Sequence, residues 1–192
     1  MVIELKGNWK KGFALDYHTE SSTYLGINEY GYDRFETTRT RIGQLIYDLK
    51  YNKNIKTIPQ IIQMINDHIS TFEIMDFIIP VPPSKPRDYQ PVHLIADALS
   101  KNTSVLIIHN EVVKEKPTPE LKNMKDPVER EKVLRDAFSL AGTVSLKNKN
   151  VLLIDDLYRS GATLRAITAI LYNTGKVKNV FVLTLTKTRS VQ

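Results

Sequence analysis

The chain has 192 residues, 42% of them hydrophobic, with 27 Lys and Arg against 21 Asp and Glu, a net charge of +6 and a pI near 9.4. That suits one domain, or one domain with a subdomain, and supplies enough apolar material for a core. Cysteine is absent, which excludes disulfides and thiolate-held zinc; no apolar run approaches the ~20 residues of a membrane-spanning helix; and the opening MVIELKGNWKKG lacks the apolar centre of a signal peptide, so a cytoplasmic setting is the expectation.

Residues 1–33 are rich in Gly and Tyr. Val2–Leu5 and Phe13–Tyr17 read as short strands, and Gly7-Asn8, Gly26, Asn28 and Gly31 as turns, giving a small antiparallel meander. Tyr24, Tyr30 and Tyr32 belong to core or rim, or make an aromatic platform for a base. Phe35–Tyr51 reads as a helix with Ile42, Leu45, Ile46 and Leu49 on one face. Thr57-Ile58-Pro59 opens a second helix, with Ile61, Ile62, Ile65 and Ile69 as its apolar stripe. Residues 1–75 are therefore expected to form a small α+β hood or subdomain, and 76–192 the main unit.

Asp76–Val81 reads as the first strand of the main sheet. The loop after it holds Pro82, Pro83 and Pro86, with Ser84, Lys85 and Arg87 as donors for a phosphorylated group. Pro91–Ser100 follows as a helix and Ser104–Ile108 as a strand. His18, His68, His93 and His109 show no metal-ligand spacing and read as structural or exposed. Glu111–Asp126 has no clear period and reads as a long mobile segment. Asp126-Pro127-Val128-Glu129 carries capping chemistry for a helix reaching Phe138. Over Glu111–Asp136 the basic residues interleave with acids, the pattern of a mixed solvated face, so the net charge does not by itself indicate nucleic acid.

Val151–Ile154 is the apolar run of a buried strand, followed by Asp155 and Asp156 and a small polar turn, Arg159 to Thr163. Leu164, Ile167 and Leu171 then recur at helical spacing, and Asn179–Leu185 is the last strand. Alternating strands and helices from Asp76 onward predict an α/β fold: a parallel sheet flanked by helices on both faces. The turn before the helix suits an anion, because the first N–H groups of a helix are unpaired and carry partial positive charge. Ser160 and Thr163 add hydroxyls, and Gly161 removes a Cβ. The two acids stand beyond the carboxyl end of a strand, where ligands bind in open α/β sheets, and can accept hydrogen bonds from sugar hydroxyls.

Val151-Leu-Leu-Ile-Asp-Asp-Leu-Tyr-Arg-Ser-Gly-Ala-Thr163 resembles the signature of type I phosphoribosyltransferases that binds 5-phosphoribosyl 1-pyrophosphate (PRPP). Ile79-Pro-Val-Pro82, Lys85, Arg87 and Tyr89-Gln90 resemble the ComF-like branch in part; that branch has Leu-His where this chain has Pro83-Ser84. The resemblance implies transfer of ribose 5-phosphate from PRPP to an unidentified nitrogen acceptor, with release of pyrophosphate. Asp155 and Asp156 would be catalytic, and Arg159, Ser160, Gly161, Ala162 and Thr163 would hold the 5′-phosphate. Pro83, Ser84, Lys85 and Arg87 would cradle pyrophosphate, and Lys116 and Thr118 would lie on a closing loop. Mg²⁺ would enter with PRPP, with no protein ligand assigned to it. The resemblance also implies an alternative: a ComF-like protein that binds PRPP or a nucleotide and acts in DNA uptake, processing or regulation, with single-stranded DNA as a partner, no membrane association, and homo-oligomers allowed.

Overall fold

The computed structural model describes residues 2–69, 74–83, 89–115 and 136–189. In chain order the elements are β1 (Ile3–Glu4), β2 (Lys11–Tyr17), β3 (Thr19–Ile27), β4 (Asp33–Arg39), α1 (Arg41–Tyr51), α2 (Ile58–Asn66), β5 (Phe77–Pro80), α3 (Pro91–Thr103), β6 (Leu106–Ile107), β7 (Val112–Lys114), β8 (Phe138–Leu140), β9 (Asn150–Tyr158), α4 (Ala162–Asn173) and β10 (Asn179–Lys187). The fold is mixed α/β with a largely parallel central sheet. Six strands run in the order β1-β2-β10-β9-β5-β6, and only the β1–β2 pair is antiparallel.

The alternation of β9 divides the interior in two. Val151 and Leu153 face one core with Leu164, Ile167 and Leu171 of α4. Leu152 and Ile154 face the other, built from α1, α2 and α3 through Ile42, Leu49, Ile61, Ile65, Ile95 and Leu99. A strand covered on both faces reads as an unbroken apolar run, which is why Val151–Ile154 stands out in the sequence. Helices thus lie on both faces, as expected. Among the described residues no helix is long and apolar enough to cross a membrane.

Several elements differ from the sequence reading. β2 is a member of the central sheet, and α1 and α2 share a core with β5, β9 and β10. Of β1 to β4, β3 and β4 stand apart, as a separate two-stranded sheet. The first helix begins at Arg41, not Phe35. Phe35–Arg39 pairs with β3, and Thr40 caps the helix, its Oγ1 accepting the Gly43 N–H at 3.1 Å. The strand around Ser104–Ile108 is only two residues long. The segment starting at Glu111 opens as β7, paired antiparallel with β8, so Phe138 begins a strand instead of ending a helix. Glu111 is 1% exposed and ties this hairpin down: its carboxylate accepts the backbone N–H groups of Gly142 and Thr143 at 3.1 and 3.0 Å. The helix expected after Asp126 lies mostly outside the described residues.

Candidate functional site

The strand order sets the place of the site. From β5 the chain moves outward to β6, and from β9 it moves the opposite way to β10, while β5 and β9 are neighbours. The connections leaving their carboxyl ends therefore diverge and open a crevice, the switch point of a doubly wound sheet. A cavity of about 420 Å³ lies there. Asp155, Asp156, Arg159 and Thr163 line it from the β9–α4 segment, Val81, Pro82 and Pro83 from the end of β5, and Gln90 to His93 from the start of α3. Lys50 of α1, Lys114 of β7 and Phe138 of β8 close it.

β9 continues past the apolar run to Tyr158, so the two acids belong to the strand, not to a loop after it. Consecutive strand residues point to opposite faces, which places Asp156 on the α1 side. There its Oδ2 lies 2.5 Å from the Lys50 ammonium, and its backbone oxygen accepts the Thr186 hydroxyl at 2.9 Å. Asp155 Oδ1 accepts the Asp156 N–H at 2.8 Å. Burial pushes the Asp155 carboxyl well above the usual carboxylate range, and the Asp156 charge pushes it further, while Lys50 opposes both.

In the turn, Gly161 has φ +73°, the left-handed conformation that favours glycine. A Cβ there would sit 2.6 Å from the Tyr158 ring and hydroxyl, so the space that the glycine leaves is already taken by tyrosine. The Ala162 N–H is 3.4 Å from Ser160 Oγ, and the Arg165 N–H opens the helical ladder on Gly161 O at 2.9 Å. The N–H groups of Thr163 and Leu164 precede that ladder, where the helix dipole attracts negative charge.

Pro83 lines the cavity, whereas Ser84, Lys85, Arg87, Lys116 and Thr118 lie outside the described residues. β7 and β8 are the arms on either side of residues 116–135. Lys50, Lys114 and His93 were not foreseen. They reach the cavity from three separate elements, so no local spacing marks them. Burial pulls the Lys114 ammonium below its usual range. His93 stacks on His109 with ring centroids 5.2 Å apart and Nδ1 atoms at 3.2 Å; His109 Nε2 in turn lies 2.7 Å from Asp97 Oδ1.

No protein-family model matches the chain, and no curated protein matches it by sequence. Among solved structures it is similar to the adenine phosphoribosyltransferase of Trypanosoma brucei in complex with AMP, pyrophosphate and ribose-5-phosphate, at 12% identity and TM-score 0.48, over 97% of this chain and 87% of that one. It is similar to the adenine phosphoribosyltransferase of Thermoanaerobacter pseudethanolicus at 15% identity and TM-score 0.46, over 86% of this chain and 95% of that one. With the UMP synthase of Leishmania donovani the identity is 16% and the TM-score 0.40, over 84% of this chain; the chain spans 27% of that synthase.

Proposed function

We propose that the protein is a PRPP-dependent phosphoribosyltransferase that passes ribose 5-phosphate to a nitrogen acceptor and releases pyrophosphate. The observation that supports it is the joining, in one crevice, of two carboxylates, a helix N-terminal turn and two lysines, with the acids and the turn supplied by a single strand–turn–helix segment. A phosphorylated pentose needs those groups at that separation: hydroxyl acceptors at one end and anion donors at the other.

Breaking the C1–O bond leaves positive charge on the sugar, so catalysis rests on position and charge. Asp155 and Asp156 accept hydrogen bonds from the ribose hydroxyls, and the Asp156 carboxylate, paired with Lys50, sets negative charge beside the developing cation. Arg159, Ser160 and Thr163, with the backbone N–H groups of the turn, hold the 5′-phosphate, and Gly161 and Ala162 shape that turn. Lys114 of the cavity wall is assigned to the pyrophosphate, and Ser84, Lys85, Arg87, Lys116 and Thr118, which lie outside the described residues, are proposed as further contacts to it. Among the described residues no three His, Cys, Asp or Glu side chains cluster to cage a metal. Mg²⁺ is commonly bound by one or two carboxylates together with substrate phosphates; when bound with PRPP, it would neutralise charge on the leaving pyrophosphate.

Titration calorimetry with PRPP and Mg²⁺ tests this reading. The wild-type chain is expected to bind PRPP, and the Asp155→Asn/Asp156→Asn double variant to bind at least ~100-fold more weakly, the scale of several lost charge-assisted hydrogen bonds. Equal titrations would overturn the assignment. One observation favours a second reading, PRPP or nucleotide binding without transfer in a protein that acts on single-stranded DNA. Tyr24, Tyr30, Tyr32 and Phe35 are all more than half exposed on the β3–β4 hairpin, with Arg34 next to Phe35 in β4, as in surfaces on which bases stack. A gel shift with single-stranded DNA, beside an assay of pyrophosphate release across nucleobases, separates the two.

A further inference from the structure

His93, His109 and Asp97 form a hydrogen-bonded line that begins in the wall of the cavity and ends in solvent. His93 lines the cavity. The side chains at the other end, His109 and Asp97, are 37% and 40% exposed. Asp97 can only accept when ionised, so His109 Nε2 carries the proton that it receives. A neutral His109 then has a lone pair on Nδ1, and the 3.2 Å contact is satisfied only if His93 Nδ1 donates to it. This leaves His93 Nε2 as the basic nitrogen. It is buried and has no hydrogen-bond partner among the described residues. Buried polar atoms are rarely left unpaired in folded proteins, and those that are often mark a catalytic role or an absent partner.

From this geometry we infer that His93 is the proton acceptor for the incoming nitrogen nucleophile, and that His109 and Asp97 position it and carry the proton to solvent. The inference rests on the transfer reading above. In the step, the nucleophile's lone pair forms the N–C1 bond while the C1–O pair leaves with pyrophosphate. The proton on that nitrogen passes to His93 Nε2. The proton on His93 Nδ1 moves to His109 Nδ1, and the resulting imidazolium is paired with the Asp97 carboxylate at the surface. Burial, aided by the neighbouring His109 and opposed by Asp97, holds the His93 imidazole below its usual pKa, which keeps it unprotonated and ready to accept. The other charged groups around the cavity are Asp155, Asp156, Lys50, Lys114 and Arg159. The two carboxylates are already engaged, in the Asp156 N–H contact and the Lys50 pair.

The test compares the full chain with His93→Gln, His109→Gln and Asp97→Asn. PRPP binding is measured by calorimetry with Mg²⁺, and pyrophosphate release is followed from about pH 5 to 9 with adenine, guanine, hypoxanthine, uracil, orotate or water as acceptor. His93→Gln is expected to bind PRPP within about threefold of wild type, to lower kcat by roughly 10²–10⁴-fold, and to lose the acidic limb of the pH profile. Asp97→Asn and His109→Gln should cost less, about 10–100-fold, and should move that limb instead of erasing it. If His93→Gln fails to fold, the two surface variants carry the test. Unaltered profiles in the variants overturn the inference and leave the transfer reading standing. PRPP binding without pyrophosphate release for any acceptor also overturns it, since His93 would then have no proton to take. Failure of the wild-type chain to bind PRPP removes both.

Discussion

Asp155 occupies a position that disfavours its own ionisation. The folded state favours the neutral acid there, through burial and through the adjacent Asp156 charge. A carboxyl whose folded pKa is raised costs stability as pH rises from the unfolded carboxylate value through the raised one. At neutral pH, Asp155→Asn is therefore expected to stabilise the fold by about 1 kcal/mol, or ~2–4 °C in Tm, while weakening PRPP binding. Scanning calorimetry at pH 7 checks this, and a lower Tm would mean that the carboxylate is structurally required. At this scale the sequence was only partly legible. Asp155, Asp156, Arg159 and Thr163 share one short segment that the sequence marks, and all four line the cavity. Lys50, Lys114 and His93 meet them only through tertiary packing, and His93 carries no sign in its neighbours that it will stack on His109.

Single elements were legible wherever one periodicity governed them. α4 and β9 are covered by protein and keep their patterns, while the start of α1 was misread because Phe35–Arg39 is exposed strand with no apolar face to reveal its period. What fixes that start is local chemistry. The Thr40 hydroxyl donates to Tyr17 O at 2.6 Å and accepts the Gly43 N–H. Gly43 lies so close to β2 and β3 that a Cβ would stand 2.0 Å from His18 O. Gly43→Ala must push α1 outward, at a cost of about 1–3 kcal/mol, and Thr40→Ala should cost about 1 kcal/mol. Urea unfolding measures both. Because α1 carries Lys50, Gly43→Ala is also expected to loosen the Asp156 pair, whereas an unchanged urea midpoint would show that the helix tolerates the shift.

For the whole molecule, the class of fold followed from the alternation of strands and helices. The six-strand order did not, because β2 joins the sheet from the far end of the chain and no local pattern announces a partner so distant. The β3–β4 hairpin contributes no residue to either core. Replacing residues 22–37 by a two-residue Asn-Gly turn is therefore expected to leave the Tm within about 2 °C of the parent, no more than the shift for about 1 kcal/mol in a chain of this length. A drop of ten degrees in calorimetry would show that the hairpin supports the fold.

The parallel pairing of β2 with β10 has a bearing on how the protein is made. β2 leaves the ribosome about 165 residues before its neighbour β10, yet Ala14 and Thr184 must end side by side. Until β10 emerges, the β1–β2 pair has an open flank, and the central sheet cannot close between β2 and β9. Closure of the sheet thus waits for residues 179–187, and a nascent chain stalled before residue 179 would be a natural client for chaperones.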